Sequence, residues 1–403
     1  MGILKDYSRV TSDPDLSSIQ QKADKLRGKH IVCINSTYQG GGVAEILDSI
    51  IILLNELGLE VGWRILHGSP DFFTVTKKFH NALQGEKINF SAQKKDVYYD
   101  ANKRFSLFTH LEDHDLVMVH DPQPLPLIDF YDKRQPWIFR CHIDLTAPNP
   151  DVWSYLKQFI VKYDHFIVSL EQYKHDLPIP QSVVYPAIDP LSPKNKQASE
   201  GDIDKYLQKY DIDKNRPIIT QVSRFDKWKD PLGVLDVFQM VRSKIDCQLV
   251  LLGSLATDDP EGQKIFERVE EKAKKSLYEN DIKLILAEND FLVNCLQRAS
   301  SVVLQKSLRE GFGLTVSEAL YKGTPVVASN VGGIPKQVID GYSGFLHDPK
   351  DYDGISKNTI RIIKDPALRE QLGKNGKEHV KKNFLITRLI DDWLTLFEGM
   401  LCK

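Results

Sequence analysis

Short runs of β-branched and other apolar residues alternate along the chain with longer stretches in which apolar residues recur every three to four positions. The first pattern has the period of a buried strand and the second that of an amphipathic helix, so their alternation predicts repeated βαβ units and parallel sheets. In the first half, strands are predicted at residues 30–35, 61–66, 116–119, 137–141, 166–169 and 183–185. The clearest helix covers 43–57, with apolar residues at 43, 46, 47, 50, 51, 53, 54 and 57. In the second half the same rhythm predicts strands at 217–222, 248–252, 283–286, 301–305, 325–328 and 344–346. Residues 185–193, with three prolines, precede the polar stretch KNKQASEGD, and the boundary between two domains is expected there. A helix at about 387–401 has no strand after it.

Length agrees with this division, because 403 residues exceed one ordinary core. With 41% hydrophobic and 27% charged residues the chain has enough apolar mass for two cores. A net charge of -2 leaves no global basic field, so neither nucleic acid nor an anionic membrane is an expected partner. The start, MGILKDYSRVTSD, is charged from position 5 and lacks the apolar centre of a signal peptide. Asp6 stands where a myristoylation pattern needs Ser or Thr. The longest apolar runs, such as 50–54, are far too short to span a bilayer, and a cytoplasmic location is expected. Cys33, Cys141, Cys247, Cys295 and Cys402 are scattered singly, which fits reduced thiols better than disulfides or a zinc site. Cys141, beside His142, is the one candidate thiol nucleophile, and its strand context favours packing.

In open α/β sheets ligands bind beyond the carboxyl ends of strands. After the first strand, Gly40, Gly41 and Gly42 open the long helix, where glycines admit a phosphate or sugar to the helix-start amides. A tight strand-to-helix turn is the alternative. The spacing is neither G-x-G-x-x-G nor a P-loop. His120-Asp121 and Arg140-Cys-His142-Ile-Asp144 place a histidine and a carboxylate at two adjacent strand ends, which suits a polar site or a pair of structural hydrogen bonds. No tight ligand cluster for zinc is present. In the second half Arg224 and Lys229 leave a strand just before a helix starting near Pro231. This arrangement suits a diphosphate, gripped by the guanidinium fork and a point charge, or alternatively exposed ion pairs.

The stretch REGFGLTVSEAL reads as a turn after the strand at 301–305 and then a helix closed by Gly323, with Pro325 beyond. Glu310 is thereby expected in the turn, able to accept sugar hydroxyl hydrogens, and Glu318 within the helix, placed for a vicinal diol such as a ribose. Phe312, Gly313, Leu314 and Thr315 between them offer helix-start amides to a phosphate. Eight residues at helical rise span roughly 12 Å. That exceeds the roughly 5 to 9.5 Å between hydrolytic carboxylates, which disfavours a glycosidase pair.

Taken in order, these motifs resemble retaining glycosyltransferases of the GT-B fold, family GT4. NSTYQGGGVAEIL, TKKFHNALQG, VHDPQP, RCHIDL, QVSRFDKWKDP, DDPEG and REGFGLTVSEALYKGTPVV are similar to the trehalose glycosyltransferring synthases over nearly the whole chain. The family's Arg-Phe-Asp-Pro-Trp-Lys-Gly becomes Arg-Phe-Asp-Lys-Trp-Lys-Asp here, which leaves the stiffness of that loop open. The resemblance implies an α/β, GT-B architecture of two Rossmann-like doubly wound domains facing a central cleft. The N-terminal domain would take residues 1–190 and the C-terminal, nucleotide-sugar-binding domain 191–383, with a terminal helix at about 384–403 packing back on the first.

It further implies a nucleotide diphosphate glucose donor (UDP-, ADP- or GDP-glucose), glucose as acceptor and α,α-trehalose as product, with retention at the donor carbon. By motif, Arg224 and Lys229 would take the diphosphate, Glu310 the donor sugar's hydroxyls, Glu318 the ribose and His142 the sugar near its reacting carbon. Gly41 and Gly42 would close on phosphates and acceptor, while Asp121, Gln123, Asp144 and Asn81 would line the acceptor side. No divalent metal would be obligatory. Asp202/Asp204, Asp211/Asp213 and Asp351/Asp353 have Asp-x-Asp spacing but follow no core strand, and chance in an acidic, helix-capping context explains them. A homodimer stays open. So do a trehalose phosphorylase, a sugar-nucleotide epimerase and a non-catalytic sugar-nucleotide sensor.

Overall fold

The computed structural model describes residues 4–11, 13–39, 41–254 and 261–402. Gly40 of the glycine triplet and Asp258, Asp259 and Pro260 of DDPEG lie outside the described residues. The chain divides into two compact units: one runs to Ala187 and resumes at Ile386, and the other is formed by described residues from Ile188 to Leu385.

The first unit is built on a parallel sheet of β1 (His30–Asn35), β2 (Glu60–Ile65), β3 (Leu116–His120), β4 (Trp137–Arg140), β5 (His165–Val168) and β6 (Gln181–Val183). The spatial order is β2-β1-β3-β4-β5-β6. Every residue of β3 and β4 is buried, as strands covered on both faces require. Five of the six expected strands agree to within a residue at each end. The sixth begins earlier, because Gln181–Val183 pair in register with Phe166–Val168, and Tyr185 is drawn off as its carbonyl accepts from Arg388.

Strand order fixes where a ligand can sit. The chain steps from β1 out to β2 and returns to place β3 on the other side of β1, with Ile31 to Ile34 facing Leu116 to Val119. The loops leaving β1 and β3 therefore diverge and open a crevice at their carboxyl ends.

In the second unit, β7 (Ile218–Val222), β8 (Gln248–Gly253), β9 (Ile282–Leu286), β10 (Val302–Gln305), β11 (Val326–Ser329) and β12 (Gly344–His347) take the order β12-β11-β10-β7-β8-β9. All of its pairings are parallel. Here the reversal falls between β7 and β10, where Val302 and Val303 face Ile219 and Thr220.

The Ile386–Leu401 helix belongs to the first unit. Leu389, Ile390, Trp393, Leu394 and Phe397, spaced for one helical face, are buried. Lys22–Asp391 at 2.6 Å and Lys25–Glu398 at 2.5 Å link it to the Asp13–Lys25 helix. Such partly exposed pairs are worth about 0–1 kcal/mol each, so the apolar face holds this helix and the ion pairs orient it.

The proline-rich stretch is packed. Arg388 Nη2 donates to the carbonyls of Tyr185 and Pro186 in the first unit. In the second, Ile188 N donates to Phe384 O at 2.9 Å. Further on, Asn294 donates to the carbonyls of Pro193 and Lys196, and Arg298 to those of Asn195 and Lys196. Backbone carbonyls of an irregular segment need donors when covered, and these two helical side chains supply them.

Among the described residues no helix is long and apolar enough to cross a membrane. Four cysteines are buried and Cys402 is exposed. Burial pushes the Cys33 thiol up to about 12 and Cys141 well above its ordinary value, so neither is a ready thiolate.

Candidate active site

In the second unit β7 and β10 end side by side, and the loops leaving them are tied together. Asp226 Oδ1 accepts from Trp228 N at 2.7 Å, Gln221 Nε2 donates to Lys229 O at 2.9 Å, and Leu308 N donates to Trp228 O at 2.7 Å. These bonds bring Lys229 Nζ to 2.5 Å from Glu310 Oε2, with side-chain exposures of 19% and 7%. The same oxygen accepts from Gln305 Nε2 at 3.3 Å and Ser307 Oγ at 3.2 Å. Arg224, half-buried, lies two residues beyond β7.

Asp230, where the resembling family has glycine, adopts a left-handed conformation with φ 47 and ψ 52. Aspartate tolerates this region better than most side chains. Its carboxylate also caps the Pro231–Arg242 helix, accepting from Gly233 N at 3.0 Å, and pairs with the buried Lys306 ammonium. The loop is thus fixed at its end by a side chain that glycine lacks.

Gly313, at φ 86, turns the chain into the Leu314–Tyr321 helix. A Cβ there would meet Glu310 Cγ and Cδ at 3.2 Å. Leu314 and Thr315 open the helix, and their amides have no intrahelical acceptor. Gln337 secures the turn, donating to Phe312 O at 2.6 Å and accepting from Ser317 N and Oγ. Glu318 is buried within the helix, near Gln297 Nε2 at 3.4 Å and Lys194 Nζ at 4.0 Å.

In the first unit Gly41, with φ 174, is the N-cap of the Gly42–Glu56 helix. That backbone is extended, and a Cβ at Gly41 would meet no atom of the described residues within 4 Å. At the ends of β3 and β4, His142 N donates to Asp121 Oδ1 at 2.7 Å, Arg140 Nε donates to His142 Nε2 at 3.1 Å, and His120 Nδ1 lies 3.2 Å from that same nitrogen. Burial, then the Arg140 charge, hold both imidazoles well below the ordinary histidine range. Burial, then Arg388, bring Arg140 itself down to about 9.

The remaining expected residues are less clearly drawn to one point. Asp144 is buried and closes its own turn, accepting from Thr146 N at 2.9 Å and Thr146 Oγ1 at 2.6 Å. Asn81 is buried in the Pro70–Leu83 helix. The Gln123 carbonyl accepts from Asn102 at 3.0 Å. Lys306, Gln305, Ser307, Gln297 and Lys194 join these residues without belonging to any of the expected site motifs. Lys306 left one signal: it is the first charge after the apolar run of β10. Of the Asp-x-Asp pairs, Asp202 completes a capping box with Ser199, and Asp351 caps the Tyr352–Lys364 helix.

Residues 33–175 match the model of the trehalose synthase N-terminal domain, and residues 202–379 that of glycosyl transferases group 1. A trehalose synthase of Thermococcus litoralis is 45% identical over 98% of this chain and 97% of its own. A trehalose phosphorylase of Pleurotus pulmonarius is 29% identical over 94% of this chain but only 58% of its own. An α,α-trehalose 6-phosphate synthase structure from Burkholderia multivorans superposes with a TM-score of 0.74 at 17% identity, covering 93% of this chain and 99% of that one. Near-half identity along almost the whole length, carried on two parallel-sheet α/β units, makes this chain a member of the trehalose synthase family and a glycosyltransferase of the GT-B fold.

Proposed function

We propose that the protein is a retaining glucosyltransferase that moves glucose from a nucleotide diphosphate glucose to glucose, giving α,α-trehalose. The observation that carries this reading is the meeting of Lys229, Glu310 and a helix start at the β7/β10 reversal, where an open parallel sheet receives a ligand. Arg224 and Lys229 take the diphosphate, aided by the amides of Phe312 to Thr315. Glu310, released in part from Lys229, accepts from the donor sugar's hydroxyls, and Glu318 takes the ribose diol. His142 touches the sugar near its reacting carbon, with Asp121, Gln123, Asp144 and Asn81 on the acceptor side.

Gly41 and Gly42 close on phosphates and acceptor. What supports that role for Gly41 is that neither its φ nor the described residues around it demand glycine, which fits a backbone kept bare for a ligand.

The costly event is departure of a charged diphosphate from a carbon turning oxocarbenium-like. Donors fixed around the leaving oxygens stabilise it, each worth about 10²- to 10³-fold in rate. The C1–O bond to phosphate breaks as the acceptor oxygen bonds C1 on the same face, and the acceptor's proton passes to the departing phosphate oxygen. Side-chain cations fill the charge-stabilising role, so this reading requires no divalent metal. The test is to incubate the protein with each nucleotide glucose plus glucose and identify the disaccharide and its linkage. Nucleotide-dependent α,α-trehalose is expected. Loss of trehalose that depends on phosphate and on no nucleotide would overturn the reading in favour of a phosphorylase.

A further inference from the structure

Arg140 occupies an unusual place for an arginine: the last position of β4, with no exposed surface. Its Nη2 donates to Val184 O at 3.1 Å, and its Nε donates to His142 Nε2 at 3.1 Å. A guanidinium can only donate. The nitrogen it faces must therefore carry the lone pair, and the single proton of a neutral imidazole is left on Nδ1. His120 Nδ1, 3.2 Å from the same atom, is consistent only as a second donor. The backbone of His142 is fixed independently by Asp121, itself in a left-handed conformation with φ 62.

We propose that Arg140 and His120 are positioning residues that hold His142 as the neutral tautomer protonated on Nδ1, making it a hydrogen-bond donor to an oxygen of the bound sugar and denying it a role as general base. This deepens, and rests on, the reading that His142 meets the sugar. His142 keeps part of its surface open, whereas Arg140 and His120 are enclosed. Nδ1 of His142 has no partner among the described residues. Free histidine favours the opposite tautomer, so the two contacts to Nε2 must outweigh that preference.

The groups that set the charge of this imidazole come from every element around it. Arg140 lies on β4, His120 on β3 and Asp121 just beyond it. Trp393 of the terminal helix packs on His120 with ring centroids 5.9 Å apart, and Arg388 and Asp392 of that helix act on Arg140. Protonating His142 would place a new N–H against the Arg140 N–H, so the ring stays neutral on the acid side of its ordinary range.

The experiment is nitrogen-15 NMR of the full chain labelled at histidine, followed from about pH 5.5 to 8. His142 is expected to show a bare Nε2 and a protonated Nδ1 throughout. A proton on Nε2, or a titration midpoint inside that window, would sink the proposal. Arg140→Lys keeps the cation but loses the fixed Nε–H, and His120→Gln is the second variant should the first fold poorly. In a folded variant a shift of the His142 proton towards Nε2 and a fall in kcat with little change in donor KM are expected. An unaltered tautomer in both variants would show that neither residue positions the ring. The underlying reading fails separately: if the tautomer is as described but His142→Ala turns over normally, the lock stands and the sugar contact does not.

Discussion

Breaking the Lys229–Glu310 pair separates what it does for stability from what it does for turnover. Lys229→Met removes the ammonium that lies 2.5 Å from the Glu310 carboxylate, which is 7% exposed. Removing one partner of a buried pair costs about 3–5 kcal/mol. Gln305 and Ser307 go on donating to the same oxygen, which puts the expected loss at the low end, about 3 kcal/mol. For a domain of roughly 150–250 residues that lowers the unfolding midpoint by roughly 6–12 °C. Lys229→Met with Glu310→Gln removes the stranded charge while Gln keeps a similar shape, and stability should return to within about 1 kcal/mol of the parent. Under the proposed function glucosyl transfer should not return, because the residues proposed to hold the leaving diphosphate and the sugar hydroxyls are both gone. Thermal unfolding followed by calorimetry, beside kcat/KM for the nucleotide glucose, measures both. A double variant as unstable as Lys229→Met would refute the coupling. One with parental turnover would refute the site.

Gly41→Ala should leave the midpoint unchanged or raise stability by about 0.4–1 kcal/mol, since the site has room and an extended backbone, while kcat/KM falls tenfold or more; full activity would show the space is not used by a ligand. Acid should weaken the first unit. His120 and His142 have depressed folded-state values, so the unfolded chain binds more protons and stability declines as pH falls through about 6.5. At pH 5.5 the loss is at most about 1.4 kcal/mol for each ring, and equal calorimetric midpoints for this unit at pH 7.5 and 5.5 would contradict it. Finally, Asp230→Ala should be about 1–2 kcal/mol less stable than Asp230→Gly by denaturant unfolding, because only glycine enters the left-handed region without penalty, and equal values would dissociate the loop from that conformation.

Eleven of the twelve strands were legible in the sequence to within a residue at each end because they carry short apolar runs, as parallel strands covered on both faces do, whereas β6, with sequence QSV, lies two residues before the run expected to form it. The turn-and-helix grammar of REGFGLTVSEAL was equally local. Gly313 enters a left-handed conformation and the Leu314–Tyr321 helix follows, as local backbone preferences dictate. The tertiary structure alone decided strand order, and with it which strand ends meet. Lys229 and Glu310 are 81 positions apart, and nothing in either neighbourhood names the other; they meet because β10 returns beside β7. No local pattern marks Lys306 or Lys194 as buried, yet the fold buries Lys306 against Asp230 and packs Lys194 near Glu318. Backbone preference and apolar period are properties of a few consecutive residues, whereas the pairing of buried charges depends on topology, which no short stretch of chain contains.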